Sequence, residues 1–256
     1  MIDDFVPIIH RLDGRPIKLY AIGDVHLGAK EADVRGLEKF LKKVESEDDS
    51  YIVIVGDVLN NGTRDSLTNV YEEVLPPSAQ VDLAAELLSP VAEKILGAVG
   101  GNHEHRSLKA VDLDPLYQVM VMLHVPDLYR QSFAFLRITL EKGNVIDSYA
   151  IYLTHGKSAA KQKKFAQGAL EGVDAIIQGH THEGSIQKST RMVFTQQSKV
   201  KFKSIVSITA ASWLRYGGYA AKGQYLPTAS AADGPQALLL DFTGSNQQYG
   251  NIQVVW

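Results

Sequence analysis

Short apolar runs that stop abruptly at glycine or a polar residue recur along the chain. They are IKLYAIGD (17–24), YIVIVGD (51–57), AVGGN (98–102), YAIYLTHG (149–156) and VDAIIQGH (173–180). Dense in Ile, Val and Tyr and without strict alternation, they predict strands covered on both faces. Between them the apolar spacing becomes helical. VRGLEKFLKKVE (34–45) aligns Val34, Leu37, Phe40, Leu41 and Val44 on one face. QVDLAAELLSPVAEKIL (80–96) repeats the pattern, with Pro90 expected to kink or divide it. DPLYQVMVMLH (114–124) places Pro115 in a first turn, and KSAAKQKKFAQGALEG (157–172) reads as a basic helix ended by Gly172. This alternation predicts an α/β protein around a mostly parallel sheet. Later, RMVFT, VKFKSIVSITAASW, ALLLDF and IQVVW carry few helical signals between them, which predicts antiparallel hairpins in a second sheet. No repeat or linker divides the chain, so a single domain over 1–256 is expected.

Composition narrows the picture modestly. A chain of 256 residues with 45% hydrophobic and 21% charged content can bury a full core. No apolar run approaches the roughly 20 residues that span a bilayer. The first residues, MIDDFVPIIHRLDG, carry acids where a secretory signal carries lysines, so a cytoplasmic protein is expected (the host cytoplasm for a viral gene) with no membrane partner. With no cysteine, any metal must sit on nitrogen and oxygen. The net charge of −3 does not suggest a dedicated nucleic-acid binder, but it is unevenly spread. Residues 157–203 hold nine Lys/Arg against three acids, leaving that stretch at +6 and the remainder at −9. Such a surface would steer a phosphate-bearing ligand, although a lysine-rich solvated face is the plainer explanation.

The chemistry gathers where the predicted strands end, which is where α/β sheets bind ligands. In order these positions offer Asp24 and His26, Asp57, Asn102 and His103, His155, then His180 and His182. His180 and His182 are two apart, so an extended chain would point both to one side. Each fragment alone has an ordinary explanation as a turn, a helix cap or a surface histidine. Oxygen and nitrogen ligands beside glycine at five consecutive strand ends are harder to attribute to chance.

The blocks DVH (24–26), GDVL (56–59), GNHE (101–104), THG (154–156) and GHTH (179–182) follow one another in the order of a known signature. In them the chain resembles the calcineurin-like metallophosphoesterase superfamily, over residues 17 to 182. GNHEHR and WLRYGGYAAKGQYLPT are similar to its small bacterial and bacteriophage-type members. The resemblance implies a sandwich of two central mixed β-sheets flanked by helices. It also implies two divalent transition ions, manganese first among Mn, Fe, Zn, Co and Ni. Asp24, His26, Asp57 and His182 would surround one ion. Asp57, Asn102, His155 and His180 would surround the other, with Asp57 bridging. By the same resemblance, a hydroxide held between the ions attacks phosphorus, His103 protonates the leaving group, and Glu104 orients His103.

The substrate is less constrained. Asn60 and Asn61 supply turn geometry or a contact behind a ligand. Arg106 and Lys157 lie close enough in sequence to reach a phosphate, with plain surface cations as the alternative. Arg215, Tyr216 and Tyr219, in a Gly/Tyr-rich stretch, would hold a base or an aromatic leaving group, or else simply pack a loop. His10, His105 and His124 read as ordinary surface or core histidines. The favoured function is phosphodiester hydrolysis, with DNA or RNA as a candidate substrate. A monoesterase acting on nucleotides or phosphoproteins comes second. A non-catalytic protein-binding scaffold, as in the retromer subunit of this fold, is a distant third.

Overall fold

The computed structural model describes residues 3–63, 73–156, 172–194, 198–217, 230–244 and 252–255. In one sheet, β2 (Ile17–Ile22), β3 (Ser50–Val55), β4 (Ile95–Val99) and the short β5 (Tyr129–Arg130) run parallel. The antiparallel pair β11 (Ala237–Leu240) and β12 (Ile252–Val255) extends it on the β2 side. The other sheet takes the order β1 (Ile8–Asp13), β6 (Phe133–Lys142), β7 (Val145–Thr154), β8 (Ala175–Gln178), β10 (Val200–Thr209), β9 (Ser185–Phe194).

Both sheets are mixed, and the late strands divide between them instead of forming a sheet of their own. β9 and β10 do make the expected antiparallel hairpin, but β10 also pairs in parallel with β8. β11 and β12 instead close the first sheet. The reason is register. β11 presents Leu238 and Leu240 to the same apolar layer as Leu19 and Ile17 of β2, and only alignment beside β2 buries both sets.

That layer lies between the sheets and contains Val53, Val55, Val99, Leu136, Leu153, Ile177 and Ile208. A second layer packs the outer face of the first sheet against three helices: α1 (Val34–Ser46), α2 (Pro77–Leu88) and α4 (Pro115–Met122). Leu37, Phe40, Leu41 and Val44 form the buried face of α1, as the spacing predicts, and Asp33 caps its start by accepting from Gly36 N. The chain changes from α-helix to a 3₁₀ turn at Ser89–Lys94, where Pro90 removes a donor. The proposed basic helix at 157–172 lies, except for Gly172, outside the described residues.

Candidate metal centre

The parallel strands β2, β3 and β4 of one sheet and β7 and β8 of the other point their carboxyl ends toward one edge of the sandwich. The loops that leave them are woven together by main-chain bonds. Asp24 N donates to Gly56 O, Val25 N and His26 N both donate to Asp57 O, and Trp213 N donates to Asp24 O. Two glycines permit this closeness. A Cβ on Gly101 would lie 2.2 Å from Asp57 Oδ1, and one on Gly56 would lie 2.6 Å from the Gly101 backbone.

Within this weave the eight sequence-predicted residues from Asp24 to His182 come together. Asp24 is fully buried. Its Oδ2 accepts from His180 N at 2.8 Å, while Oδ1 lies 3.4 Å from His182 Nε2 and has no hydrogen-bond partner. His26 Nε2 and His182 Nε2 stand 3.2 Å apart. On the other side, Asn102 Oδ1 lies 2.9 Å from both His155 Nε2 and His180 Nδ1. Asp57 Oδ2 sits between the two halves, 3.3 Å from His155 Nε2 and 4.0 Å from His26 Nε2. His180 and His182 therefore join different halves. The extended-chain premise does not hold for them, because β8 stops at Gln178 and both residues adopt left-handed backbone, with φ of 76° and 62°.

Asp24, His26 and Asp57 share that conformation, with φ of 51° to 52°. Five of these eight residues thus occupy a region that costs an L-residue roughly 1–2 kcal/mol. Such strain persists only where the surroundings impose it, and here the interlaced loops do.

The electrostatics are equally unusual. Burial pushes the Asp24 carboxyl up to about 8. Burial also opposes charge on Asp57, yet the surrounding imidazoles, His155 foremost, hold its carboxyl well below the usual carboxylate range. Burial alone would lower His155, but contact with Asp57 raises it to about 9. Burial depresses His26 well below the ordinary imidazole value, aided by His103, and brings His182 to about 4. Neutral imidazoles offer lone pairs. A buried carboxylate oxygen without a donor, two imidazole nitrogens facing each other and a mixed nitrogen and oxygen set all suit a divalent transition cation. Asp24, His26 and His182 bring one donor atom each within 4.8 Å of one another; so do Asp24, Asp57 and His155, and so do His26, Asp57 and His103.

His103 stands beside the cluster, its Nε2 3.8 Å from Asp57 Oδ2. Its orientation differs from the expectation. Nδ1 lies 2.7 Å from Asn60 O, which holds the ring in place of Glu104. The buried Glu104 carboxylate instead accepts from the main-chain N–H groups of Asp57, Leu59 and Gly101, tying the β3 and β4 loops together. It opens α3 (Glu104–Val111), a helix the apolar pattern does not announce. Asn61 contributes more than turn geometry: its Nδ2 donates to His103 O and its Oδ1 accepts from Ser107 Oγ.

Of the substrate candidates, Arg106 reaches the cluster. Its NH2 donates to His103 Nε2 at 2.9 Å and its NH1 to Asn60 O. Arg215 does not, because its guanidinium pairs with Asp33 at 2.7 Å beside the α1 cap. Tyr216 is exposed. Lys157 and Tyr219 lie outside the described residues. Gln80 is a residue the sequence analysis missed. Fully buried, it accepts from Asn61 N and donates to Glu73 Oε2 and Leu75 O, fixing the loop behind His103. A signal was available: a glutamine in helical register with Ala84 and Leu88 on the buried face of α2.

Residues 17–184 match the family described as Calcineurin-like phosphoesterase. The Phosphodiesterase YfcE of Escherichia coli (strain K12) is 31% identical over 166 residues, which is 65% of this chain and 70% of that protein. Among solved structures, a conserved uncharacterized protein from Streptococcus pneumoniae TIGR4, described as a predicted phosphoesterase, covers 94% of this chain and 97% of its own. Its TM-score is 0.35 at 14% identity. Vps29 of Entamoeba histolytica, complexed with Zn²⁺, gives 0.37 at 12% identity over 93% of this chain and 98% of its own. Neither structural likeness bears on what this chain does. No helix among the described residues is long and apolar enough to cross a membrane.

Proposed function

The chain belongs to the calcineurin-like phosphoesterase family, and from that premise we propose a two-metal phosphodiesterase, acting as one domain and in the cytoplasm. Asp24, His26, Asp57 and His182 would hold one ion. Asp57, Asn102, His155 and His180 would hold the other, and manganese is the metal we favour. The observation that carries this reading is Asp57 Oδ2 standing between two half-sites of nitrogen and oxygen donors, beside a buried Asp24 oxygen that lacks a hydrogen-bond partner. A bound divalent pair supplies water activation and neutralisation of phosphoryl charge.

The protein's own residues do the rest. Asn60 O accepts from Nδ1–H and fixes the His103 ring so that the Nε2 lone pair faces the cluster; once Nε2 has taken up a proton from solvent, it can pass that proton to a leaving oxygen. Arg106 covers that nitrogen. A phosphate is the stronger acceptor for a guanidinium, so a bound substrate takes Arg106 and uncovers Nε2. The similarity to Phosphodiesterase YfcE favours a diester, and nucleic acid is the diester we favour.

Rates on bis(p-nitrophenyl) phosphate and p-nitrophenyl phosphate, with and without Mn²⁺, test the proposal. Mn²⁺-dependent turnover, faster on the diester, is expected. Preference for the monoester would move the substrate to nucleotides or phosphoproteins. Absence of turnover on both esters with Mn²⁺ present would contradict the enzyme reading.

A further inference from the structure

The chain that leaves β10 runs along the metal centre, and one of its side chains joins the main chain of two proposed ligands. Ser212 is buried. Its Oγ donates to Asp24 O at 2.8 Å, and its N–H donates to His182 O at 3.3 Å. The same Oγ accepts from Leu214 N at 3.1 Å, while Ser212 O accepts from Ala231 N at 2.9 Å. Every polar atom of this serine is therefore used, and its hydroxyl ties the Asp24 loop to the turn at 212–214.

Asp24 and His182 belong to the same half-site, with Asp24 Oδ1 3.4 Å from His182 Nε2. Both are held in left-handed backbone, which an L-residue keeps only where its surroundings impose it. Neither lies in a strand, because β2 stops at Ile22 and β8 at Gln178. The main chain that aims these two donors therefore needs an anchor from outside. Asp24 O takes two donors, Ser212 Oγ and Trp213 N, both from one short segment. The other half-site is anchored differently. His155 follows directly on β7, and its Nδ1 lies 2.7 Å from Val55 O at the end of β3. None of the Ser212 bonds goes to Asn102, His155 or His180.

We propose that Ser212 is a positioning residue that sets the affinity of one ion of the two, the one assigned to Asp24, His26, Asp57 and His182. Loss of its hydroxyl removes one of the two donors to Asp24 O and leaves Leu214 N without its acceptor. The segment that also holds His182 O is thereby loosened, so both ligands lose their alignment together. This role rests on the two-metal reading and deepens it by naming what holds one ion's ligands in place.

The test is calorimetric titration of Mn²⁺ into the metal-stripped full chain. Wild type should bind two ions. Ser212→Ala should weaken one of them by roughly 10–100-fold and leave the other unchanged. The weakened ion should be the one that His182→Ala also weakens. Ser50→Ala is the control. That serine is fully buried and donates to Glu47 Oε2 at 2.6 Å, at the opposite end of β3 from Asp57, so its loss should leave both ions unchanged. Two ions bound by Ser212→Ala as tightly as by wild type overturns the role of Ser212 and leaves the two-metal reading standing. Equal weakening of both ions, or the same loss in Ser50→Ala, also overturns that role, since either marks a general loss of stability. A wild-type chain that binds fewer than two ions overturns both.

Discussion

Val53 and Val55 at the end of β3 lie fully buried in the apolar layer between the sheets, and Asp57, two residues on, is almost as buried among the imidazoles of His26, His103 and His155. The two regions share strands but follow opposite rules. In the layer, each buried Val, Leu or Ile contributes about 1.5–3 kcal/mol, and β-branched residues sit in ordinary strand geometry. At the metal centre, carboxylates are desolvated, nitrogens face nitrogens, and five non-glycine residues are held in left-handed backbone. Asp112, left-handed at the end of α3, is by contrast an ordinary helix cap. The strain at the centre has no such local excuse. The stability of the layer offsets it, and a pair of bound cations would offset the burial of the Asp24 and Asp57 carboxylates.

If that division is right, the two regions separate under mutation. His103→Ala should lower kcat by roughly 10²–10⁴-fold while leaving thermal stability and metal content nearly unchanged. Leu153→Ala, in the inter-sheet layer, should cost about 2–5 kcal/mol in denaturant unfolding with little change in kcat. A His103 variant with full turnover, or a Leu153 variant with intact stability, would break the comparison.

A smaller effect sharpens it. In the metal-free protein His155 is held at about 9 and Asp24 at about 8, both above their ordinary values. Each binds its proton more tightly folded than unfolded. The stability contributed by His155 is therefore fully present below pH 6.5 and is lost as pH rises through about 9. Asp24 acts in the same direction up to about 8. Metal must displace these protons, and because the two groups are close neighbours they titrate as a pair. Mn²⁺ titrated at pH 7.5 should release about one to two protons, read by calorimetry in buffers of different ionisation enthalpy. The Tm of EDTA-treated protein should fall between pH 6.5 and 9, and Mn²⁺ should suppress the fall. Metal binding without proton release would remove the account of His155.

The same contrast explains what the sequence disclosed. Strand ends announce themselves because a dense apolar run, a glycine and a ligand-type side chain are adjacent in the chain. On that basis β2, β3, β4, β7, β8 and all eight clustered residues were legible. β1 was not, because IIHRLD alternates with charges and is covered on one face only. The role of Glu104 was hidden for another reason. Its three partners are main-chain N–H groups, which leave no mark on side-chain identity. Nor could spacing show that Asn60 O, a carbonyl, would orient His103. The split of β10 between β8 and β9 depended on long-range register, which no local window contains.

The central claim is that the strained, donor-rich edge is built to hold two divalent ions bridged by Asp57. Metal content per chain by mass spectrometry, after Mn²⁺ loading and exhaustive dialysis, tests this most directly, with Asp57→Asn as comparison. Near two ions per wild-type chain, falling to one or fewer in the variant, is the predicted result. A wild-type protein that retains no metal, or a variant that retains as much as wild type, would contradict it.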